Sequence, residues 1–458
     1  MKNVKLLRVI SVSVVILVIF ACVSTLSGCF TLIDDGSVYG DLFSYYIAEY
    51  SFDFGDTSEE SHSSRSLFDE TSYTEETSYS DETSYSDETS YVSEASEPVS
   101  EPEHDPTFSD VGRISPVYER YWYLSDIQKE VYEALMDSVA AGETRCNMYV
   151  SDPLSYYREA YDAVVACNYD HPEFFWWNGA ASWGYKSGCF YIDIECYDFW
   201  KYTSNPQKYI DPLIKKVNEI AALANKKANT YEKVKFVHDY LAQSVEYDYD
   251  ALEHEKASVK DTAIDHMRSA YGCLVNNKCV CAGYAKGFQM IMQVLGIPCS
   301  YISGDAGGPH AWNSVKLDNE FYYIDVTWDD YGFDDYQKAV DYDYYCITSS
   351  QLSKDHEPDS DMWSPKANGS KYNFYVYEKS LLDSYDYEDF LNAAKNQNDQ
   401  QNVQVRFKNN SDYKKAYNEI ITSRKSHDIA AGSGNPYYKG TVSYIKDDDS
   451  LTLVLFFN

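Results

Sequence analysis

The 458-residue sequence predicts an α+β fold, and three observations lead to this prediction. Apolar residues recur every four positions over residues 124–141, which is typical of a helix. Apolar and polar residues alternate on both sides of Asp318-Asn319, a dipeptide that favours a two-residue hairpin turn. Residues 379–458 contain patterns for helix, strand, helix and two strands, which indicate a small separate α+β domain.

The N-terminus has the pattern of an export signal. Three basic residues at positions 2, 5 and 8 precede an apolar run from Val9 to Val23, which is short for a membrane-spanning helix. The run is followed by Leu26-Ser27-Gly28-Cys29, which resembles the lipobox of bacterial lipoproteins. The resemblance implies that residues 1–28 are removed and Cys29 is lipidated, so that the protein is anchored to the bacterial cell membrane and faces outside. An uncleaved membrane anchor is the alternative interpretation.

Residues 29–110 are predicted to be a disordered, acidic linker. Between residues 30 and 110 there are 22 Asp and Glu residues against one Arg. The repeat DETSYT, EETSYS, DETSYS, DETSYV has a period of six residues, which fits no helix face. Because the repeat has few aliphatic residues, it cannot bury enough apolar surface to offset the entropy lost on ordering.

The charge of the remaining chain limits the choice of partners. The net charge is −35, and about 17 of these negative charges belong to residues 111–458. Such a surface excludes nucleic acid and anionic lipid as the main partner. A neutral or basic protein or peptide, including one associated with the cell wall, is the expected partner.

The cysteine count leaves two redox interpretations open. Of eleven cysteines, Cys22 is lost with the signal and Cys29 is used for the lipid, so nine remain in the exported part. If one of the nine is a catalytic thiol, the other eight could form up to four disulfides. Small buried thiols are the alternative.

Residues 111–205 are predicted to be a mainly helical region. After the helix at 124–141, whose plausible cap is Ser125, a second helical pattern begins at the Ser-Asp-Pro sequence of residues 151–153. The aromatic cluster FFWWNGAASWGY follows, and we interpret it as packed core beside the strand-like segment GCFYIDIECY. Stacking on a carbohydrate is the less favoured interpretation of this cluster.

Residues 206–378 are predicted to be the catalytic core, and residues 379–458 the C-terminal α+β domain. The core begins with two helical patterns, at 211–229 and 231–246. In the C-terminal domain we expect a helix at 380–395, the strand VQVRFK, a helix at 411–424 and two strands ending in LTLVLFF.

The segment KCVCAGYAKGF contains a candidate nucleophile. Apolar residues recur with helical spacing from Tyr284 onward, which predicts that a helix begins near residue 281. A cysteine in the first turn of a helix lies at the positive end of the helix dipole, which favours the thiolate. Cys281 has this position and Cys279 does not. The small residues Ala282 and Gly283 allow a substrate carbonyl to approach the Cys281 N–H as an oxyanion donor.

The segment HAWNSVKLDNEFYYIDVTWDD provides a candidate base and its orienting carboxylate. If Asp318-Asn319 is a two-residue turn, His310 and Asp325 lie on one face of the hairpin as diagonal neighbours, roughly 7 to 8 Å apart. Their side chains can then form a hydrogen bond, and Asp325 fixes the tautomer of the imidazole. A three-residue turn would move Asp325 to the opposite face.

The three motifs CAGYA, HAWN and DVTW resemble the catalytic core of the transglutaminase-like superfamily of papain-fold proteins, over about residues 230–350. The resemblance implies a papain-like transglutaminase core with Cys281 as nucleophile, His310 as general base and acid, and Asp325 as orienting carboxylate. It implies no cofactor. Val326 stands where the family often has proline, and no side-chain oxyanion donor is identified, with Tyr249 and Trp312 as guesses.

Two further expectations concern neighbouring residues. Cys279 lies outside the matching motif, so we expect it to be buried or paired, for example with Cys273. The acidic run at 329–345 lacks the spacing of a twelve-residue calcium loop, and we interpret it as a solvated loop without metal.

The sequence therefore predicts a surface-anchored thiol enzyme. Cys281 would attack a carboxamide or peptide carbonyl and form a thioester, which water or an amine then resolves. This makes the protein an acyltransferase, a cysteine protease or an amidase. The alternative is a non-catalytic cell-surface binding or scaffold lipoprotein that keeps the same fold.

Overall fold

The computed structural model describes residues 117–259, 261–330, 340–360 and 363–457. The predicted export signal, the lipidation site Cys29 and the acidic repeat lie outside the described residues and stay predictions. Most of the acidic loop after Asp330 lies outside them as well. Among the helices of the described part, none is long and apolar enough to cross a membrane.

The described chain contains thirteen α-helices and thirteen strands. The helices are α1 (Asp126–Ala140), α2 (Pro153–Asp170), α3 (Asp198–Lys201), α4 (Gln207–Ala224), α5 (Thr230–Ser244), α6 (Tyr249–Lys256), α7 (Ala270–Leu274), α8 (Cys281–Val294), α9 (Ser349–Leu352), α10 (Phe374–Tyr377), α11 (Tyr387–Asn396), α12 (Asn410–Tyr417) and α13 (Ser426–Ser433). The strands are β1 (Arg145–Tyr149), β2 (Trp177–Lys186), β3 (Cys189–Cys196), β4 (Glu246–Tyr247), β5 (Lys278–Cys279), β6 (Cys299–Asp305), β7 (Pro309–Leu317), β8 (Glu320–Ile324), β9 (Glu357–Pro358), β10 (Leu381–Leu382), β11 (Asn402–Phe407), β12 (Val442–Asp447) and β13 (Thr452–Phe457). This mixture confirms the α+β class.

Two compact units divide the chain, and the first contains residues 124–165 and 179–195 of the described part. Helix α1 begins where the sequence predicts, because the Ser125 hydroxyl accepts the Gln128 N–H and the Gln128 side chain accepts the Ser125 N–H. This reciprocal pair is a capping box. The region predicted as mainly helical also contains a sheet, of strand order β1-β3-β2.

The second unit contains residues 117–123, 166–178 and 196–457 of the described part. Its central sheet has the strand order β8-β7-β6-β9. Helix α8 packs against β6 and β7 and against α4, α5 and α7. Ala282 and Ala285 of the helix pack with Tyr301 and Ala311 of the sheet, and small side chains allow the two layers to approach closely. The aromatic residues 174–177 are buried, which confirms that this cluster is packed core.

The C-terminal part of this unit forms a sheet of order β10-β11-β13-β12. Alternate residues of β11 and β13 pack with residues of α11, α12 and α13 in one apolar core. The helix predicted at 380–395 begins only at Tyr387, because Leu381–Leu382 pair with β11 and Asp386 caps the helix. The helix predicted at 411–424 is regular only to Tyr417 and continues as a π-turn over Asn418–Thr422. Helix α13 was not predicted.

Candidate active site

Cys281 is the first residue of helix α8, as the sequence predicts. Val280 before it is extended, with φ −97° and ψ −179°, and its side chain makes no capping hydrogen bond. The first N–H groups of a helix have no acceptor within the helix, so this end of α8 favours negative charge at Cys281. The Cys281 side chain is half-buried, which leaves part of it open to a substrate.

Cys279 is fully buried. All nine cysteines of the described residues, including Cys279, are free thiols. Burial raises the pKa of Cys279 well above the ordinary value, and the neighbouring thiol of Cys273 raises it further. A Cβ added to Gly283 would lie 2.5 Å from the Cys279 Cβ, so the glycine of CAGYA allows Cys279 to pack beneath α8. Of the two predicted fates of Cys279, the structure has burial and no disulfide.

His310 and Asp325 are brought together by the hairpin of β7 and β8. Leu317 pairs with Glu320, and Asp318 and Asn319 between them have positive φ values of 50° and 66°. Positive φ at both positions is typical of a two-residue type I′ turn. The predicted turn length and register are therefore confirmed. Strand β8 ends at Ile324, and Asp325 follows it directly.

The Asp325 carboxylate is saturated with hydrogen-bond donors. His310 Nε2 lies 2.6 Å from Oδ2, and Oδ1 accepts the N–H groups of Thr327 at 2.9 Å and Trp328 at 3.2 Å. Burial opposes the ionised form, but the charge of His310 and hydrogen bonds from His310 and His356 hold the pKa of Asp325 well below its usual range. The carboxylate therefore accepts a proton-bearing Nε2, which leaves Nδ1 of His310 for Cys281.

His310 is stabilised as an imidazolium. Burial alone would lower its pKa, but the Asp325 charge and hydrogen bonds with Asp325 and Cys281 raise it to about 10. The structure thus brings the three predicted catalytic residues together: His310 is hydrogen-bonded to Asp325, and Cys281 is close enough to His310 to raise its pKa. Such an arrangement can hold a thiolate beside an imidazolium, which is the reactive pair of nucleophilic thiol catalysis.

A second histidine, His356, also binds Asp325 and was not identified from the sequence. Its Nε2 lies 3.1 Å from Asp325 Oδ2, and its Nδ1 lies 2.7 Å from Asp355 Oδ1. Asp355 in turn accepts the Tyr344 hydroxyl at 2.8 Å. His356 comes 31 residues after Asp325 and directly before the two-residue strand β9. The local sequence shows only an Asp-His dipeptide, which is too weak a signal to predict this contact.

Two tryptophan rings pack against the rings of both His310 and His356. The Trp312 ring lies 5.9 Å from that of His310 and 5.0 Å from that of His356, and the Trp328 ring lies 5.7 Å and 4.4 Å from the same two rings. Trp312, one of the two guesses for an oxyanion donor, is buried and packs against the two histidine rings. Tyr249, the other guess for an oxyanion donor, is 69% exposed. Its neighbour Tyr247 has a pKa raised by burial and then by the charge of Cys281.

The ligand-type atoms of His310, Asp325 and His356 lie within 4.8 Å of one another. Zinc ligands at about 2.0 Å from the metal lie roughly 3.3 Å apart in a tetrahedral site. The 2.6 Å separation of His310 Nε2 and Asp325 Oδ2 is that of a shared proton. We therefore interpret this cluster as a hydrogen-bond network.

A second buried histidine–aspartate pair lies in the same unit. His238 Nε2 is 3.0 Å from Asp329 Oδ2, and its Nδ1 is 3.0 Å from Asp239 Oδ1. Burial opposes the charged form of His238, but hydrogen bonds with both carboxylates raise its pKa to about 9. Burial also raises the pKa of Asp329 to about 7. This pair was not predicted from the sequence.

Comparison with known proteins agrees with this geometry. A family model for the transglutaminase-like superfamily matches residues 218–326, a segment that includes all three predicted catalytic residues. The kyphoscoliosis peptidase of Mus musculus is 25% identical over 186 residues, which is 36% of this chain and 27% of that protein. The kyphoscoliosis peptidase of Homo sapiens is 25% identical over 170 residues, or 32% of this chain and 24% of that protein.

Among solved structures, the crystal structure of a TGase is 19% identical and covers 43% of this chain and 49% of that one, with a TM-score of 0.26. The chain spans about a quarter of the length of the two kyphoscoliosis peptidases it matches.

Proposed function

Because residues 218–326 form a core of the transglutaminase-like superfamily, we propose that this protein is a thiol-dependent acyl-transfer enzyme. The observation that carries the proposal is the His310–Asp325 hydrogen bond, with 2.6 Å between His310 Nε2 and Asp325 Oδ2, beside Cys281 at the start of α8. The proposed substrate is a carboxamide or peptide bond of a protein or peptide.

Acylation uses the thiolate and the imidazolium in turn. The Cys281 sulfur attacks the carbonyl carbon, a C–S bond forms, and the carbonyl oxygen becomes an oxyanion near the first N–H groups of α8. The C–N bond then breaks, and His310 gives its Nδ1 proton to the departing amine. The products of this half-reaction are a thioester, a free amine and a neutral imidazole.

Deacylation restores the resting pair. Neutral His310 takes a proton from an incoming water or amine, whose oxygen or nitrogen attacks the thioester carbon. The C–S bond breaks and leaves a thiolate beside an imidazolium. Asp325 keeps its charge throughout, because three donors besides His310 stabilise its carboxylate. Water as acceptor gives hydrolysis or deamidation, and a primary amine gives a cross-link.

We further propose that the enzyme acts outside the cell, attached to the membrane through a lipid on Cys29. This proposal rests on the lipobox-like sequence and on the acidic linker between Cys29 and the folded part. It is tested by labelling cells with a palmitate analogue and comparing wild type with Cys29→Ala. Labelling that persists in Cys29→Ala would contradict it.

Alkylation of Cys281 tests the enzyme proposal without a known substrate. The protein is treated with iodoacetamide over a range of pH, digested with trypsin, and the peptide of residues 279–286 is quantified by mass spectrometry. This peptide also contains Cys279, which is a buried internal control. We expect Cys281 to react well below about pH 8.5, the range of an ordinary thiol, and Cys279 to react slowly.

Two variants and one substrate assay complete the test. Cys281→Ala should remove the fast reaction, and His310→Ala should return Cys281 to ordinary thiol behaviour. If Cys281 of the wild type reacts only at the pH of an ordinary thiol, this result would reject an activated nucleophile and favour a binding role. Incubation of a glutamine peptide with and without a primary amine then separates transfer, seen as addition of the amine, from deamidation, seen as a gain of about 1 Da.

A further inference from the structure

His356 is a buried titratable group that contacts Asp325 and takes no part in the proton transfers of the proposed steps. It is 3% exposed, and its Nε2 shares the Asp325 oxygen Oδ2 with the Nε2 of His310, at 3.1 Å and 2.6 Å respectively. One carboxylate oxygen thus serves two imidazoles. An orienting carboxylate needs only one of them, so the second imidazole requires a separate explanation.

The protonation of His356 follows from its two partners. An ionised carboxylate oxygen can only accept a hydrogen bond, so Nε2 of His356 carries the hydrogen that faces Asp325. Nδ1 faces Asp355 Oδ1 at 2.7 Å, and one proton lies between these two atoms, on either the ring or the carboxyl group. In both arrangements His356 donates to Asp325.

We propose that His356 is a positioning residue that fixes Oδ2 of Asp325 and limits how strongly this oxygen holds the proton of His310. This inference rests on the proposed function. A carboxylate oxygen with two donors is a weaker acceptor for each of them than an oxygen with one donor. His310 must release its Nδ1 proton to the departing amine, and a histidine held too firmly as imidazolium does this poorly.

The surroundings of both rings are consistent with this role. The titratable groups of the described residues that face His310 are Cys281, Asp325 and His356, and those that face His356 are His310, Asp325, Asp355 and Tyr344. The rings of Trp312 and Trp328 also contact both histidine rings. Among the described residues, removal of His356 therefore leaves His310 as the only side chain that donates to Oδ2.

The test uses two variants of His356 that separate hydrogen bonding from packing. His356→Gln keeps an N–H donor near the position of Nε2 but cannot become charged. His356→Phe fills the space between the tryptophans but cannot donate. If His356 acts only as packing, the aromatic variant should resemble the wild type more closely than the amide variant in every measurement.

The readout is the pH dependence of Cys281 alkylation by iodoacetamide, measured on the full chain beside its melting temperature. The wild type should show two inflections, the lower for formation of the thiolate–imidazolium pair and the upper for loss of the His310 proton. We expect His356→Phe to move the upper inflection upward by about one pH unit and His356→Gln to move it by less than half as much.

The outcomes distinguish this inference from the proposed function. A wild-type profile with one inflection at the pH of an ordinary thiol overturns both. Two inflections that His356→Phe leaves in place overturn the positioning role alone, as does an equal shift in both variants. If His356→Phe does not fold, the comparison of His356→Gln with the wild type decides. A small upward shift of the upper inflection in His356→Gln supports the inference. An upper inflection that is lowered or unchanged, together with a loss of more than half the alkylation rate, overturns it.

Discussion

The two buried histidine–aspartate pairs of the second unit differ in what the second nitrogen of the histidine meets. In the His310–Asp325 pair this nitrogen serves Cys281, and in the His238–Asp329 pair it serves a second carboxylate, that of Asp239. Both aspartates belong to one turn, in which the Asp329 N–H donates to the Asp325 carbonyl at 3.2 Å. Under the proposed function, a buried histidine–aspartate pair is not by itself a catalytic feature. We propose that the group on the other side of the imidazole ring decides the role of the pair.

The two carboxylates also differ in how many donors they receive. The side-chain oxygens of Asp325 accept two backbone N–H groups and two imidazoles, and those of Asp329 accept one imidazole and the Tyr344 N–H at 2.9 Å. The pKa of Asp325 is accordingly held well below its usual range, whereas burial raises that of Asp329 to about 7. A constant negative charge is suited to orienting a catalytic imidazole, and a titrating one is not.

The largest expected effect is on stability and concerns the His238–Asp329 pair. His238→Ala removes the cation between Asp329 and Asp239 and leaves buried carboxylates without it, which costs about 3 to 5 kcal/mol of the free energy of unfolding. Cys281 alkylation in the folded fraction should change by less than about threefold, because the two pairs share no side chain. Urea unfolding measures the first quantity. A stability loss under about 1 kcal/mol would show that this pair does not stabilise the fold.

The next effect concerns the pair beside Cys281. We expect His310→Ala to lower the rate of Cys281 alkylation at pH 6 by about 100-fold, because a thiol of ordinary pKa is almost entirely protonated at that pH. The free energy of unfolding should fall by less than in His238→Ala, since Asp325 keeps three of its donors. The reverse ranking of the two variants, with His238→Ala the more damaging to alkylation, would invert the proposed roles.

The sequence was sufficient for the local parts of this site. Helical periodicity placed the start of α8 at Cys281, and Asp318-Asn319 fixed the hairpin register that brings His310 to Asp325. Both features depend on short segments of chain. His356 and His238 were missed because each reaches its aspartate from a distant segment, 31 and 91 residues away respectively. Periodicity within one element contains no information about such a contact.

The same distinction explains the errors in the fold. In the sheet of order β1-β3-β2, the strand-like pattern of β3 was recognised, but β2 was missed because it begins within a dense aromatic cluster that showed no clear alternation. The helix at 380–395 was placed too early because Leu381–Leu382 are apolar and fit a helical stripe, but tertiary pairing with β11 makes them a strand. In both cases the partner strand decides, and the partner is remote in sequence.

A third prediction uses pH to compare the pairs. His238 and His310 have pKa values of about 9 and about 10 in the folded protein, above the ordinary 6.5. The stability that they contribute is therefore fully present below about pH 6.5 and is lost as the pH rises through 9 to 10. Asp329, with its raised pKa of about 7, acts in the same direction between about pH 4 and 7. Asp325 acts in the opposite direction. Its pKa is held well below its usual range, so the stability that it contributes is lost as the pH falls, and only in strong acid.

The measurement is the free energy of unfolding at pH 6.5 and at pH 10. The wild type should lose about 3 kcal/mol from His238 alone over this interval, and His238→Gln should lose correspondingly less. The matched variant His310→Gln should remove the part of this loss of unfolding free energy that comes from His310. Parallel curves for wild type and His238→Gln would show that the pKa of His238 is not raised in the folded protein.

The smallest expected effect concerns Tyr344, the residue that contacts both pairs. Its N–H donates to Asp329 and its carbonyl accepts the Asp325 N–H. Its hydroxyl donates to Asp355, and its ring contacts Trp328 and His356. Tyr344→Phe keeps both backbone bonds and the ring contact with Trp328, so it should cost about 1 kcal/mol or less of stability and change Cys281 alkylation by less than about threefold. A larger fall in alkylation without a comparable loss of stability would mean that the hydroxyl acts on His310 through Asp355 and His356. In that case the turn from Asp325 to Asp329 is not the only link between the two pairs, and the side chains of Asp355 and His356 form a second one.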